Sequence, residues 1–421
     1  MIAARPRVLA VLPRFSPSTM ITVVKPLLNM HRMGRISARI LLEGQTDHDD
    51  IEWAEVVVFC RNNEPRHASI LAAAQSRGLP LIYDLDDNLL ELPPDCQGAS
   101  PSRDAARRAM LEVYLRSAAL VRVYSRSLAQ NVAALNARVV AMFAPVDLSL
   151  IAPPRETRSP GPIKIVYATS RTQDPLCEIF LPALTRILHR HAGRVEAHFW
   201  GYRPPRFADL PHARHHGLIC RYDHYLRRFS RGGFDIGLAP LPEDPFFRSK
   251  SNNKFREYGA CGIAGIYSRN EVYSDCIENE GSGLLVPNDS QSWYDAIERL
   301  IEDESLRTRI QLGARQFVRE RYAQERFELL FLSQILAVLD MPARSWCACV
   351  AEASHPSNAA PASAPLCAEP GYVRRLGEDV RQSLRALRRL GPRQAWVALR
   401  WRISDRIQAA LLRWQLCRLN K

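Results

Sequence analysis

The sequence has no GxGxxG fingerprint, no Walker loop and no CxxC pair. These absences exclude the glycine turn that cradles a dinucleotide, the phosphate loop of an NTPase, and a zinc ribbon or thioredoxin-like dithiol. Ten cysteines are scattered singly apart from Cys347 and Cys349, with no disulfide-like ladder. A reducing, cytoplasmic setting is the simplest reading of that usage. No stretch reaches the ~18 uncharged apolar residues of a membrane span, and the run Val8–Leu12 is too short for the core of a signal peptide. Any membrane contact is therefore expected to be peripheral. Acidic residues are scarce near the end of the chain: after residue 370 only Glu378, Asp379 and Asp405 stand against twelve arginines and Lys421.

The 421 residues favour two or three domains, and an apolar fraction of 47% suits a chain that buries a sizeable core. The net charge is +13, of which the last 51 residues hold about +10 (13 basic less 3 acidic), so the remainder is nearly balanced. The basicity belongs to the tail.

Short apolar runs alternate with helical patterns. In residues 1–150 the expected strands are Val8–Leu12, Ala38–Leu42, Val56–Cys60, Leu81–Asp84, Leu120–Tyr124 and Val139–Phe143. Helices are predicted at Thr19–Arg32, His67–Arg77, Ser102–Ser117 and Ser127–Leu135. A Pro-rich linker follows over 151–162. The alternation restarts over 163–340, with strands at Ile163–Ala168, Val195–Trp200, Gly217–Arg221, Asp235–Ala239, Ile263–Tyr267 and Leu284–Val286. Helices are predicted there at Leu176–His191, His224–Phe229, Ser251–Ala260 and Ser290–Glu302, with a broken one over Glu304–Met341. The pattern predicts an α/β chain of two tandem, Rossmann-like, doubly wound domains, whose ligands bind beyond the carboxyl ends of the strands. Residues 341–370 read as an Ala-, Pro- and Ser-rich linker, and 371–421 as a basic amphipathic helical tail.

The most informative stretch is SKSNNKFREYGACGIAGIYS, Ser249 to Ser268. A helix beginning near Ser251 puts Lys250, Lys254 and Glu257 on one face. Its N-terminus offers unpaired N–H groups and a partial positive charge, and Ser249, Ser251 and Asn252 add polar groups. That makes an anion site, with a carboxylate one turn further in that accepts hydrogen bonds from a vicinal diol. The plainer reading is a solvated helix with a surface Lys–Glu pair.

The run FDIGLAPLPEDPFFRSKSNNKFREYGACGIAGIYS, followed by GSGLLVPNDSQSWYDAIERLIEDESLRTRI, resembles the second domain of GT-B glycosyltransferases, in particular the family 4-like group of bacterial polysaccharide and O-antigen enzymes. VVVFCRNNEP and LIYDLDDNLLELP resemble the first domain of that group, so the resemblance spans roughly residues 5 to 340. It implies the GT-B arrangement of two domains facing a cleft. It also implies a retaining transfer from a nucleotide sugar bound mainly by the second domain, with no cofactor and no obligatory metal. Glu257 matches the glutamate that holds the donor ribose, and Lys254 a lysine near the diphosphate, with Lys250 one turn before it. Thr169, Ser170 and Arg171 fall where the group places phosphate-contacting residues. Many relatives carry a second glutamate eight positions before the first, where this chain has Ser249, and some carry His in the loop at Thr172–Asp174, where this chain has none.

Elsewhere, Asp84, Asp86 and Asp87 end a first-domain strand. They suit a cleft wall meeting acceptor hydroxyls; the alternatives are a capping role and, more remotely, Mg²⁺. Arg61 and Asn62 end another strand and either reach the cleft or brace the loop. Ser18 and Thr19 lie in the first strand-to-helix loop and either face ligand or only cap the helix. His212, His215 and His216 have no matching Cys or carboxylate set and read as a surface loop. In the tail, Trp396, Leu399, Ile403, Ile407, Ala410, Leu411 and Trp414 recur at helical spacing among arginines, which suits either an anionic membrane surface or a docked helical hairpin. Nucleic acid is not an expected partner.

The reading is thus a retaining glycosyltransferase that uses a nucleotide-sugar donor and a glycan or lipid-linked acceptor in surface-polysaccharide synthesis, cytoplasmic and peripheral at the membrane. The rival is a catalytically silent GT-B module that binds nucleotide or glycan and recruits partners through its tail. A sugar-nucleotide epimerase of the same fold is a third possibility.

Overall fold

Valine- and isoleucine-rich runs in each half of the chain pair into a parallel sheet of six strands. The computed structural model describes residues 5–92, 104–153, 160–171 and 174–342. The first sheet contains β1 (Arg7–Leu12), β2 (Ser37–Leu42), β3 (Val56–Cys60), β4 (Leu81–Leu85), β5 (Leu120–Val123) and β6 (Val139–Ala141), in the order β2-β1-β3-β4-β5-β6. β3 and β4 are buried along their whole length, because helices cover both faces of the sheet.

The second sheet contains β7 (Ile163–Ala168), β8 (Val195–Trp200), β9 (Ala213–His216), β10 (Ile236–Ala239), β11 (Ala264–Ser268) and β12 (Leu284–Val286), in the order β12-β11-β10-β7-β8-β9. Winding reverses between β1 and β3 in the first sheet and between β7 and β10 in the second. Each reversal leaves a crevice at the carboxyl ends of its strands.

The expected broken helix over Glu304–Met341 resolves into Glu304–Arg321 and Gln324–Leu339. The break coincides with a bridge between Val146 and Ala323, and Val146 N–H donates to the Tyr322 carbonyl at 2.8 Å. Phe327, Phe331, Ile335 and Val338 of the second helix are buried in one core with Val8, Ala10 and Val58 of the first sheet. The chain therefore crosses back, and its last described helix covers the first sheet, not the second.

The expected strand at Gly217–Arg221 lies instead at Ala213–His216, and His215 and His216 sit on this edge strand, not in a loop. An edge strand half open to solvent shows little apolar patterning, so the more hydrophobic Gly217–Arg221 misled. Helix His48–Trp53, opened by a reciprocal capping box between Asp47 and Asp50, was not expected at all. Part of the 151–162 linker, Thr172 and Gln173, nearly all of 341–370 and the whole 371–421 tail lie outside the described residues. No helix among the described residues is long and apolar enough to cross a membrane.

Candidate functional site

A cleft of about 530 Å³ opens between the two sheets at both winding reversals. The loop after β7 supplies Thr169, Ser170 and Arg171, and the loop after β10 supplies Pro240 and Leu241. Thr169 Oγ1 accepts from the Arg171 amide at 3.2 Å, and Arg171 pairs with the buried Asp174 at 3.3 Å. The Leu241 amide is held by Ser268 Oγ at 2.8 Å.

From there the chain makes a short helix, Pro245–Arg248, turns through Ser249–Asn252, and enters helix Asn253–Cys261. Gly262 ends this helix in the left-handed conformation (φ 67°), which lets the amides of Gly262 and Ile263 satisfy the Gly259 and Tyr258 carbonyls. The helix is no solvated surface element. Phe255, Arg256, Glu257, Tyr258, Gly259 and Ala260 are all buried. Arg256, 1% exposed, donates to the Pro145 carbonyl at 2.7 Å and to Asn252 Oδ1 at 3.2 Å.

Glu257 and Lys254 project from this helix into the cleft. Lys254 Nζ donates to Glu257 Oε2 at 2.8 Å, and the Tyr225 hydroxyl lies 3.3 Å from the same oxygen. Burial raises the Tyr225 phenol well above its ordinary value and the Glu257 charge adds to that, so Tyr225 remains a donor. Lys250 lies in the turn ahead of the helix. Its Nζ crosses the cleft to Asp87 Oδ1 at 2.6 Å and also lies 4.1 Å from the centre of the Phe246 ring.

The opposite wall is built from the first domain. Arg61, in a left-handed conformation (φ 63°) after β3, pairs with Asp86 at 3.3 Å and Asp87 at 3.1 Å. Burial alone would push the Asp87 carboxyl up; Lys250 and Arg61 outweigh it and hold the group below the usual range. Ser18 lines the same wall, with Arg14 and Ser16 beside it.

The structure thus brings Ser18, Arg61, Asp86, Asp87, Thr169, Ser170, Arg171, Lys250, Ser251, Lys254 and Glu257 to one cleft. Five expected residues are turned away. Thr19 is fully buried, its hydroxyl 3.0 Å from the Arg14 carbonyl and 2.9 Å from the Ser16 carbonyl, and the helix cap is Ser16, whose Oγ accepts from the Thr19 amide at 3.2 Å. Asn62 braces its loop, donating to Glu43 at 2.7 Å and accepting from the Cys60 amide at 2.7 Å. Asp84 is sealed beneath the wall with Arg122, Tyr124 and Thr22. Asn252 donates to the Tyr322 hydroxyl at 2.8 Å, because the helix starts two residues later than expected; Asn253 lines the cleft instead. Ser249, 0% exposed, is held by the first domain: its carbonyl accepts from Ser125 Oγ at 2.9 Å and its hydroxyl from Asn131 Nδ2 at 3.2 Å.

Arg14, Trp200, Tyr222 and Tyr225 line the cleft without having been singled out. Arg14 follows β1 at a winding reversal, Trp200 ends β8 beside β7, and Tyr222 and Tyr225 lie in the first turn of helix Tyr222–Ser230, placements that require the strand order. Asp84 pairs with Arg122, and Asp86 and Asp87 pair with Arg61. The described residues hold one His/carboxylate cluster elsewhere, His191 with Glu298 and Glu302, and those carboxylates pair with Arg190 at 3.0 Å and Arg194 at 3.3 Å.

Two such sheets facing a common cleft define the GT-B fold, and this chain has it. Among solved structures it is similar to a glycosyltransferase from Rickettsia africae (TM-score 0.60, 13% identity, covering 80% of this chain and 100% of that one). It is also similar to Anabaena HepE solved with UDP and glucose (TM-score 0.57, 15% identity, 78% and 99%) and to sucrose-phosphate synthase from Thermosynechococcus elongatus (TM-score 0.57, 13% identity, 79% and 99%). At these identities the likeness is one of fold. The sequence matches no protein-family model and no curated protein.

Proposed function

We propose that the protein transfers a sugar from a nucleoside-diphosphate sugar to an acceptor hydroxyl with retention of configuration, acting in surface-polysaccharide synthesis. The observation that carries this reading is the Lys254–Glu257 pair at the crevice of the second sheet, facing the Thr169–Arg171 loop. Glu257 is an acceptor for a ribose diol. Lys254, Lys250, Arg171 and the amides opening helix Asn253–Cys261 surround the place for a diphosphate. Preorganised cations there stabilise the charge that grows on the leaving group. The departing phosphate oxygen takes the acceptor proton on the same face. Ser18, Arg61 and Asp86 stand on the acceptor side. The structures of HepE with UDP and with UDP-glucose support a nucleotide-sugar donor. No metal or other cofactor enters this scheme, and the setting proposed is cytoplasmic, with the basic tail resting on an anionic membrane that carries the acceptor.

One observation favours the silent-module reading. Position 249, a glutamate in many similar enzymes, is here a serine buried at the domain junction, and the second-domain carboxylates that line the cleft are Glu257 and Asp174, the latter already engaged by Arg171 and Tyr167. Thermal shift and calorimetry against UDP, GDP and dTDP, followed by donor-hydrolysis and transfer assays, separate the readings. A bound nucleoside diphosphate with sugar turnover supports transfer. Binding without turnover of any donor supports the module, and no binding of any nucleotide overturns the transfer reading and leaves the module only as a binder of glycan.

A further inference from the structure

Asp87 belongs to the first domain, yet its carboxylate sits among cations that face the cleft from both sides. Lys250 Nζ lies 2.6 Å from one oxygen and Arg61 3.1 Å from the other. Arg171, in the loop after β7, lies near enough to help keep the group ionised. An anionic ligand entering the crevice would seek the second-domain members of this set. We propose that Asp87 stands in for the donor's diphosphate in the resting cleft, so that donor binding exchanges the Asp87–Lys250 pair for a phosphate–Lys250 pair.

Three features make the exchange feasible. The side chains of Lys250 and Asp87 are 18% and 19% exposed, so ligand and water reach the pair. Asp87 keeps Arg61 when Lys250 leaves, so no buried charge is stranded, which is the usual penalty for breaking such a pair. The backbone of the turn does not need to move. The neighbouring Ser249 is fixed to Ser125 and Asn131, so the exchange is a swing of the Lys250 side chain alone, whose ammonium in the resting cleft lies 4.1 Å from the centre of the Phe246 ring. Asp87 thereby sets a threshold: a ligand without a diphosphate does not displace it, and the cleft's cationic side stays neutralised.

This inference rests on the proposed nucleotide-sugar function and goes beyond it. The test is calorimetry on the full chain with UDP, GDP and dTDP and with the parent nucleosides. Asp87→Asn is expected to bind the preferred diphosphate about five-fold more tightly, the size of one partly exposed ion pair, with nucleoside affinity unchanged. In a Lys250→Ala background Asp87→Asn should change nothing. Asp87→Ala carries the same expectation and guards against an effect peculiar to the amide. Diphosphate affinity that is unchanged or weaker in both Asp87 variants, or an equal gain for the nucleoside, overturns the inference and leaves the proposed function standing. If neither the natural protein nor the variants bind any nucleoside diphosphate, both fall. Loss of the folded state in both Asp87 variants, read by circular dichroism, makes the pair structural and also overturns the inference.

Discussion

Lys254 and Glu257 meet at 2.8 Å, one helical turn apart, with Glu257 6% exposed at the floor of the cleft. A buried carboxylate with a lysine and a tyrosine on one oxygen keeps its other oxygen for a ligand. Glu257→Gln preserves shape and removes charge, so donor affinity should fall about ten- to a hundredfold, the range for a charge-assisted hydrogen bond. Lys254→Ala should lower turnover by about 10²–10³ through lost stabilisation of the leaving group. Both are measured as kcat and KM for the donor, with circular dichroism showing an intact fold. A natural donor KM in Glu257→Gln, or near-natural kcat in Lys254→Ala, would remove that residue from the site.

Beneath the first-domain wall of the cleft, Arg122 pairs with Asp84 at 3.3 Å, both side chains 0% exposed. Tyr124 donates to the same carboxylate at 2.6 Å, and the guanidinium lies 3.7 Å from the Phe331 ring centre, tying the returning helix to the first sheet. Arg122→Met leaves a buried carboxylate uncompensated and should cost about 3–5 kcal/mol, read by denaturant titration. Adding Asp84→Asn should recover a large part of that loss. A double variant as unstable as the single one would show that the aromatic stack, not the charge pair, dominates.

Most strands were legible because parallel strands covered on both faces read as unbroken apolar runs, as Val56–Cys60 does. The polar edge strand Ala213–His216 lacked that signal. Glu257 and Lys254 were legible because their spacing and their place between two strands are local facts. What decides the orientation of Asn62, Asp84 and Ser249 is not local. Asn62 turns inward to reach Glu43, Asp84 to reach Arg122, and Ser249 to reach Asn131, partners 19 to 118 residues away. The return of helix Gln324–Leu339 to the first sheet was hidden for the same reason, since its apolar face suits either core.

His198 and Glu43 give stability opposite slopes with pH. Burial, then the neighbouring His216, lowers the His198 pKa to about 4, against 6.5 when unfolded. The unfolded chain therefore binds the extra proton, and stability present above pH 6.5 is lost as pH falls toward 4, by roughly 3 kcal/mol at most. Burial raises Glu43 to about 7, against the Asn62 hydrogen bond, so its contribution is present below pH 4.5 and is lost as pH rises through 7. Melting temperatures of His198→Asn should exceed those of the natural protein increasingly as pH falls from 6.5 toward 4, and those of Glu43→Gln increasingly as pH rises from 4.5 to 7. Variant curves that run parallel to the natural one at all pH values would contradict this assignment.

The basic tail predicts peripheral attachment. Thirteen basic residues against three acidic ones, with Trp396 and Trp414 in an apolar pattern of helical spacing in the sequence, should carry the full chain upward with anionic liposomes in a flotation gradient, and raised salt should release it. A chain truncated after Met341 should stay at the bottom. Equal flotation of both forms would place the membrane contact, if any, on the two sheets.

Gly237 controls how helix Asn253–Cys261 lies on the second sheet. A Cβ at this position in β10 would stand 2.5 Å from the Tyr258 ring, well inside contact distance, and Tyr258 is fixed by its hydroxyl bond to the Leu238 carbonyl at 3.0 Å. The ring cannot retreat without shifting the helix turn that carries Glu257. Gly237→Ala should therefore cost about 1–3 kcal/mol as overpacking and weaken donor binding as well, although residue 237 touches no ligand. Pairing it with Tyr258→Leu should restore part of both losses, because the smaller side chain vacates the space the methyl needs. Coupling of that kind in a double-mutant cycle, read in stability and donor affinity together, tests whether strand packing sets the position of Glu257.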